Sequence, residues 1–170
     1  HDDRHIETMR EQSRLLARIV DELRTVSLAE EGVLVLRREP IAVGEVLEAT
    51  VRSFQARADL AGVSLSAEAS SPLLVQAERG RLTQVLSALM DNALRHTPRG
   101  GAITLRAVSH GRHARLEVQD TGPGVPTADI DHVFDRFYRV DPSRDRSSSS
   151  SGLGLAIVAA LVQAHGGSVG

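Results

Sequence analysis

The sequence predicts an α/β fold in which one long helix precedes a sheet of about five strands covered on one face by helices. Residues 1 to 31 carry apolar side chains at alternating spacings of three and four, which is typical of a helix that packs against other helices. From Ile41 onward, short strands alternate with helices. The 170 residues, 41% hydrophobic and 25% charged, are enough for one soluble core plus an appendage.

The composition excludes several functional classes. A formal net charge of -2 argues against nucleic acid or an anionic membrane as the main partner, and the absence of cysteine rules out disulfides and thiolate metal sites. No apolar run approaches the roughly 20 residues that span a bilayer, and the N-terminus is not a signal peptide. We therefore expect a soluble fragment. All 20 basic residues are arginine, so a cationic side chain at a phosphate must be arginine.

The long N-terminal helix has a heptad-like seam. This seam favours packing in a helical bundle, although a helix docked on its own domain would show a similar stripe. A polar run from Ala29 to Pro40 follows the helix, so we place a boundary near Arg38, with residues 1–38 in one unit and residues 39–170 in the other. The seam consists of Ile6, Met9, Ser13, Leu16, Val20 and Leu23.

The rest of the chain alternates between strands and helices. Period-two alternation and short apolar runs between turn residues predict strands, and apolar residues at helical spacing predict helices. Gly62 ends the first of these helices, and a turn at 109–112 joins the last two strands as a hairpin. The predicted strands are 40–43, 63–69, 73–77, 102–108 and 113–120, and the predicted helices are 44–61 and 81–98.

The helix at 81–98 carries the first candidate site. At about 100° per residue, Ala88, Asn92 and Arg95 share one flank of its apolar face, and His96 lies nearer the centre of that face. An amide oxygen beside a guanidinium at the edge of a core can hold a metal-phosphate group, and Asn92 offers the oxygen ligand that Mg²⁺ prefers. Asn92 can equally be a cap or an ordinary polar residue of the flank.

The end of the last predicted strand carries a second candidate. Leu116, Val118 and Asp120 point to the same face of the strand. If that face is the core, Asp120 is a carboxylate at the end of a buried row and needs a donor, such as the exocyclic amine of adenine. The alternative is that Asp120 caps its own Asp-Thr-Gly-Pro-Gly turn.

About thirty loop-like residues follow Asp120, and only 128–140 within them has a helical pattern. Loops this long in compact domains are usually functional lids or linkers. A helix then begins after Gly152 and Gly154, runs to Ala164 and ends at the glycines that follow. Glycine suits close approach of the backbone to a ligand, and the amides at the start of a helix can bind phosphate.

Four stretches stand out in order and spacing: Asp91-Asn-Ala-Leu-Arg-His-Thr-Pro98, Asp120-Thr-Gly-Pro-Gly124, Val133-Phe-Asp-Arg-Phe-Tyr-Arg139 and Gly152-Leu-Gly-Leu155. They resemble the asparagine, first glycine, phenylalanine and second glycine boxes of sensor histidine kinases. Residues 1 to about 31 are similar to the second helix of the family's dimerisation and histidine-phosphotransfer hairpin. The resemblance implies the layered α/β sandwich of the histidine kinase, gyrase and Hsp90 ATPases, with a mixed sheet packed on helices.

The resemblance also implies roles for individual residues in binding ATP and Mg²⁺. Asn92 would hold the metal between the nucleotide phosphates, Arg95 would contact phosphate where the family usually has lysine, and His96 would line the same pocket. Asp120 would read the adenine amine. The other implied nucleotide-binding residues are Gly122, Gly124, Val125, Phe137, Gly152, Leu153, Gly154 and Leu155, and Phe134 and Phe137 would also anchor the preceding loop in apolar surface.

The implied activity is that of a protein-histidine kinase of two-component signal transduction. The γ-phosphoryl group of Mg-ATP would pass to a histidine on the first hairpin helix, of the same or a partner protomer, and then to an aspartate on the receiver domain of a response regulator. That first helix is expected outside these residues, and His1 and His5 do not replace its histidine. The implied location is cytoplasmic, with a parent protein that can be anchored in the bacterial inner membrane, and the N-terminal helix can support a homodimer.

Two departures from the family pattern leave alternatives open. Ala88 stands where the family often has a second asparagine, and Ser150 stands where the second glycine box usually begins. These residues favour a non-catalytic nucleotide-binding or dimerisation module as the alternative. An anti-sigma-factor serine kinase of the same superfamily is a further alternative, but it would not need the heptad-like helix.

Overall fold

A computed structural model describes residues 2–69, 72–139 and 152–170. His1, Val140 and the serine run that includes Ser150 lie outside these ranges. The first helix, α1, runs from Asp2 to Glu30, as predicted. No helix in the described ranges is long and apolar enough to cross a membrane.

Most of α1 stands clear of the rest of the protein, and its end is docked. Met9, Leu16 and Val20 of the seam are 63–66% exposed. Thr25 and Val26, in the last two turns, are 3% and 1% exposed. Both readings of the helix therefore have support in different parts of it: an open bundle-type seam, and a docked C-terminal end.

The remaining elements follow the predicted order, and their ends lie within two residues of the predicted bounds. Gly62 ends α2 in the left-handed conformation, with φ 70°. Only glycine adopts this conformation at little cost, so the predicted helix stop is confirmed. The elements are β1 (Glu39–Ala42), α2 (Val43–Ala61), β2 (Ser64–Ala69), β3 (Leu74–Ala77), α3 (Arg79–His96), β4 (Ala102–His110), β5 (His113–Asp120) and α4 (Gly154–Ala164).

All five predicted strands are present, and they pair as two groups. β1 and β3 form an antiparallel pair, while β2, β4 and β5 form a three-stranded sheet in that order. The β2–β4 pairing is parallel and the β4–β5 pairing is antiparallel, so this sheet is mixed, as expected for the fold class. Alternation along a strand predicts which face is buried, but not which strand becomes its neighbour.

The main core lies between these strands and the helices α2 and α3. Leu47, Leu86 and Met90 of the helices are at most 1% exposed, as are Ile103 and Leu105 of β4. Each such side chain contributes about 2 kcal/mol by its removal from water. The predicted arrangement of helices over one face of a sheet is therefore confirmed.

A second, smaller core lies on the other side of α3, where α1 and α4 pack. Its buried members come from three helices: Val26, Val85, Ile157, Val158, Ala160 and Leu161. Ala88, Leu89 and Phe134 pack against it and are half-buried. Because α3 is covered on two sides, its remaining exposed surface is narrow.

The helix predicted for 128–140 is absent in the described part of that range. A 3₁₀ helix covers Thr127–His132, and turns follow it. The segment lacks a continuous apolar stripe, and Asp129 and Asp135 bond other side chains locally, which competes with a regular helix. The hydroxyl of Tyr138 donates to Asp129, and His132 bonds Asp135.

Candidate functional site

The flank of α3 divides into an apolar and a polar part. Ala88 packs against the second core, so the position of the family's usual second asparagine is occupied by apolar contacts. Asn92, one turn further on, is half-buried, and Arg95 is exposed. An amide at a core edge and a guanidinium in solvent lie on successive turns, which suits contact with a metal-phosphate group.

His96 departs from its expected place near the centre of the apolar face, because its side chain is exposed. The helix ends at this residue, so helical periodicity no longer directs its side chain over the core. Its carbonyl oxygen instead lies against the turn that follows β5. An added Cβ at Gly122 would lie 2.8 Å from that oxygen, so this contact requires glycine.

An ion pair that the sequence did not predict links α3 to α2. The Nη1 of Arg57 on α2 lies 2.7 Å from the Oδ1 of Asp91, and the same guanidinium lies 4.8 Å from the ring centre of Phe54. Asp91 is therefore held towards α2. The next residue, Asn92, lies about 100° further around the helix and is directed to a different face. An Asp directly before Asn92 was the only sequence signal for this contact.

Asp120 is exposed, so it does not extend the buried row that was expected on this face of β5. It lies opposite the fully buried Ile103 in the β4–β5 register, at the end of the core-facing row. Its Oδ1 accepts a hydrogen bond from the N–H of Gly122 at 2.7 Å. This is the turn-capping role considered above. A carboxylate has a second oxygen, so the cap is compatible with an acceptor for an adenine amine.

The chain after this turn stays open to solvent. Gly124 has φ 75°, and an added Cβ there would meet no atom within 4 Å. Val125, the next residue, is 48% exposed. The glycine at 124 is thus required by its left-handed backbone rather than by crowding.

Phe137 and Gly152 form a contact that joins the third motif to the fourth. The N–H of Phe137 donates to the carbonyl of Gly152 at 3.0 Å. Phe137 has φ 62°, which is unusual for a residue with a side chain. Gly152 has φ 68°, and an added Cβ would lie 2.9 Å from the Cα of Phe137. The two backbones therefore touch where only glycine fits.

The two phenylalanines of this segment differ in their surroundings. Phe134 packs against the second core, as expected for an apolar anchor. Phe137 is 60% exposed, so the expectation that it also anchors the loop in apolar surface is wrong. Its backbone, turned by the positive φ to meet Gly152, directs the side chain away from the core.

The start of α4 is brought near Asn92 by the antiparallel packing of α3 and α4. The N–H of Glu78, before α3, donates to the Nε2 of His165, after α4, at 3.2 Å. Both helices rise about 1.5 Å per residue, so the first residues of α4 lie beside the part of α3 that is roughly one turn before Asn92. The candidate residues at this start are the fully buried Leu153 and the half-buried Gly152, Gly154 and Leu155.

Tyr138 belongs to a polar cluster beside the third motif. The hydrogen bond from its hydroxyl to Asp129 raises the pKa of Tyr138 above its ordinary value of 10.0, with smaller contributions from burial and from the negative charges of Asp129 and Asp135. The ring of His132 lies 5.5 Å from that of Tyr138. These bonds join the 3₁₀ helix to the residues that lead towards Phe137 and Gly152.

The metal ligands available here suit a metal that is shared with a substrate. Within the described ranges, no group of three or more histidine, aspartate or glutamate residues is placed to hold a metal ion. Mg²⁺ commonly takes one or two protein oxygens and completes its shell with phosphate and water. The amide oxygen of Asn92 fits that pattern of binding.

Comparison with known proteins places the chain in a family. The model of the family described as histidine kinase-, DNA gyrase B-, and HSP90-like ATPase matches residues 77–170. BaeS, a signal transduction histidine-protein kinase of Escherichia coli, is 35% identical over 154 residues, which cover 91% of this chain and 33% of BaeS. The sensor histidine kinase WalK of Bacillus subtilis is 33% identical over 164 residues, which cover 95% of this chain and 27% of WalK.

Solved structures give the same result. Histidine kinase AdeS of Acinetobacter baumannii has a TM-score of 0.77 at 31% identity, over 94% of this chain and 72% of that chain. Full-length ShkA in complex with AMPPNP has a TM-score of 0.82 at 29% identity, over 95% of this chain and 34% of that chain. The fold class and the resemblance read from the four motifs are thereby confirmed. The chain spans about a third or less of the length of the curated relatives BaeS and WalK.

Proposed function

This chain belongs to the family of histidine kinase-, DNA gyrase B-, and HSP90-like ATPases, and we propose that it is the ATP-binding catalytic part of a sensor histidine kinase. The observation that carries the proposal is the convergence of the four motifs. Gly122 of the first glycine motif lies against the end of α3, and Phe137 of the third motif bonds Gly152 of the fourth. Similarity to BaeS over 91% of the chain supports the kinase over other family members.

The polar flank of α3 binds the phosphate end of the nucleotide. Asn92 holds Mg²⁺ through its amide oxygen, and Arg95 and His96 contact the phosphates or line their pocket. The bound metal neutralises charge on the phosphates. Gly152, Leu153, Gly154 and Leu155 bring backbone amides at the start of α4 towards the same phosphates, where the helix dipole favours negative charge.

The turn after β5 binds the base. Asp120 accepts from the exocyclic amine of adenine through the oxygen that does not cap Gly122. Gly122 and Gly124 allow the backbone to approach the nucleotide, and Val125 and Phe137, both exposed, line the opening. Both ends of the nucleotide then bind near the end of α3, because a Cβ added at Gly122 would lie 2.8 Å from the carbonyl oxygen of His96.

The chemical step is an in-line attack on the γ-phosphorus by an imidazole nitrogen, with ADP as the leaving group. The rate acceleration comes from positioning the reactants and neutralising the phosphate charge, since this chain forms no covalent intermediate with the phosphoryl group. Ala88, half-buried against the second core, supplies no polar side-chain atom to this step. The attacking nitrogen of the neutral imidazole uses its lone pair, and the proton on the other ring nitrogen passes to solvent as the phosphohistidine forms.

The acceptor histidine is on a helix that pairs with α1. Residues 1–38 provide the second helix of the phosphotransfer hairpin and its linker, and residues 39–170 provide the catalytic domain. The open seam of α1, with Met9, Leu16 and Val20 exposed, is the surface on which the first helix packs and through which a homodimer forms. The phosphoryl group then passes to an aspartate on a response regulator, and the parent protein acts at the cytoplasmic side of a bacterial inner membrane.

A non-catalytic nucleotide-binding module is the second candidate. The observation that favours it is Ala88, whose apolar packing removes a polar group that the family often has at this position. This module would bind nucleotide and dimerise without transferring phosphate.

Two measurements separate these functions. Mg-ATP is first titrated into the chain by calorimetry, and saturable binding that requires Mg²⁺ is expected. A longer polypeptide that carries the preceding helix is then incubated with γ-labelled ATP, and label that is acid-labile and base-stable, as phosphohistidine is, should accumulate on it. Absence of binding would refute both functions, and binding without transfer to histidine would leave only the passive module.

A further inference from the structure

We propose that Glu30 is a positioning residue for the phosphate-binding turn at Gly152–Leu155. It acts through Arg136 and the backbone of Phe137. The inference rests on the function proposed above, because it assigns a part of α1 to control of the same nucleotide site.

The first step is the ion pair between the end of α1 and the third motif. The Nε of Arg136 donates to Oε1 of Glu30 at 3.1 Å, and the Nη2 of Arg136 contacts Oε2. This is a bidentate pair, in which two parallel contacts hold the guanidinium and the carboxylate in one relative orientation. The side chains are 32% and 53% exposed, respectively, so the pair is partly shielded from water.

The position of Glu30 is unfavourable for α1 itself. It is the last residue of the helix, and the last turn contains no basic residue. A negative charge at the C-terminal end opposes the helix dipole. The contact with Arg136 compensates for this, so the carboxylate is explained by its partner rather than by helix stability.

The second step leads from Arg136 to the turn. Phe137 follows Arg136 directly, and its N–H donates to the carbonyl of Gly152. On the other side of Arg136, Phe134 packs against the second core, which contains Val26 of α1. Arg136 is thus held between an apolar anchor and a backbone contact, and Glu30 fixes the side chain at the middle of this short stretch.

Three further polar links between described residues join α1 and its linker to the far ends of α3 and α4. Arg81 donates to Thr25 at 3.5 Å, the N–H of Arg37 donates to Glu78 at 3.0 Å, and Arg38 donates to the carbonyl of Ala164 at 2.8 Å. The ion pair of Glu30 differs from these links because it bonds the segment that touches Gly152. Displacement of α1 therefore acts on the phosphate side of the site through this pair, together with the packing of Phe134 against the core that contains Val26.

The consequence is a coupling between α1 and the binding of the triphosphate. A turn that is held in place before binding loses less conformational freedom when the nucleotide binds. Glu30→Gln keeps the shape and removes the charge. It should weaken Mg-ATP binding roughly two- to fivefold, the range that a partly exposed ion pair supports, and should leave binding of adenosine unchanged.

The experiment uses calorimetric titration of the whole chain with Mg-ATP and with adenosine, and amide exchange at residues 133–139. Glu68→Gln is the matched control, because Glu68 pairs with Arg106 at 2.9 Å and is 56% exposed, but lies on the sheet. Glu30→Gln should also speed up amide exchange at these residues. The double variant Glu30→Arg with Arg136→Glu exchanges the two charges and should restore both the Mg-ATP affinity and the slow amide exchange.

Three results would overturn the role of Glu30. One is equal Mg-ATP affinity in Glu30→Gln and the unaltered chain, and another is failure of the exchanged pair to restore the loss. An equal loss of Mg-ATP affinity in Glu68→Gln would show that removal of any exposed negative charge has this effect. If the unaltered chain did not bind Mg-ATP at all, the proposed function would itself have failed, and amide exchange at 133–139 would still report whether Glu30 holds this segment.

Discussion

The contact between Phe137 and Gly152 can be tested by a single methyl group. Gly152→Ala places a Cβ 2.9 Å from the Cα of Phe137 and 3.1 Å from its carbonyl carbon. These are backbone atoms, so the chain must move to accept the substitution. The left-handed φ of 68° adds a further cost that is independent of the neighbours.

Gly32 provides a control with almost the same backbone angle. It has φ 69°, and an added Cβ would meet no atom within 4 Å. Gly32→Ala should therefore cost only the left-handed conformation, about 1 kcal/mol. Gly152→Ala should cost that amount plus the loss of the Phe137 hydrogen bond, about 1 kcal/mol more. The expected total is about 2 kcal/mol, concentrated near residues 137 and 152.

Denaturant unfolding and amide exchange measure the two parts of this prediction. The free energy of unfolding should fall by about twice as much in Gly152→Ala as in Gly32→Ala. The amide of Phe137 should lose protection in Gly152→Ala only, and Mg-ATP binding should weaken in that variant only. Equal stability losses, with the amide of Phe137 still protected in both variants, would refute the close backbone approach.

Three further substitutions test the site. Asn92→Ala should abolish Mg²⁺-dependent nucleotide affinity and change the melting temperature little, because the side chain is only half-buried; a large loss of stability would make Asn92 structural. Asp120→Asn keeps an acceptor for Gly122 but can present a donor to the adenine amine, so it should weaken ATP about tenfold and free triphosphate much less; equal weakening would refute the adenine role. Tyr138 is the only tyrosine and tryptophan is absent, so phenolate absorbance reports its pKa directly: the midpoint should lie above 10.0 and move down in Asp129→Asn. The fold favours the neutral phenol of Tyr138, so its hydrogen bond stabilises the folded state below pH 10, and this stability is lost as the pH rises through the raised pKa. An unchanged midpoint in Asp129→Asn would contradict the assigned cause.

Local sequence was sufficient for the family and for the helices and strands outside 128–140, where the predicted helix is absent from the described residues. Helix periodicity, the stop at Gly62 and the turn before His113 depend on neighbours along the chain, and the structure has each of them where the pattern predicts. The four motifs could be recognised for the same reason, since each is a continuous stretch whose residues act within one turn or one helix end. Glycine at 122 and 152 was expected for close approach to a ligand, whereas the structure shows close approach to the backbones of His96 and Phe137.

Tertiary packing decided which residues became partners. Ala88 faces a second core only because α1 and α4 cover that side of α3, and Phe137 is exposed because its backbone turns to meet Gly152. The ion pair of Glu30 with Arg136 joins residues more than a hundred positions apart. Periodicity describes how one element divides between core and solvent, whereas such pairs depend on how separate elements meet. The sequence by itself therefore determined the family to which this protein belongs, and the fold decided how α1 is connected to the candidate site.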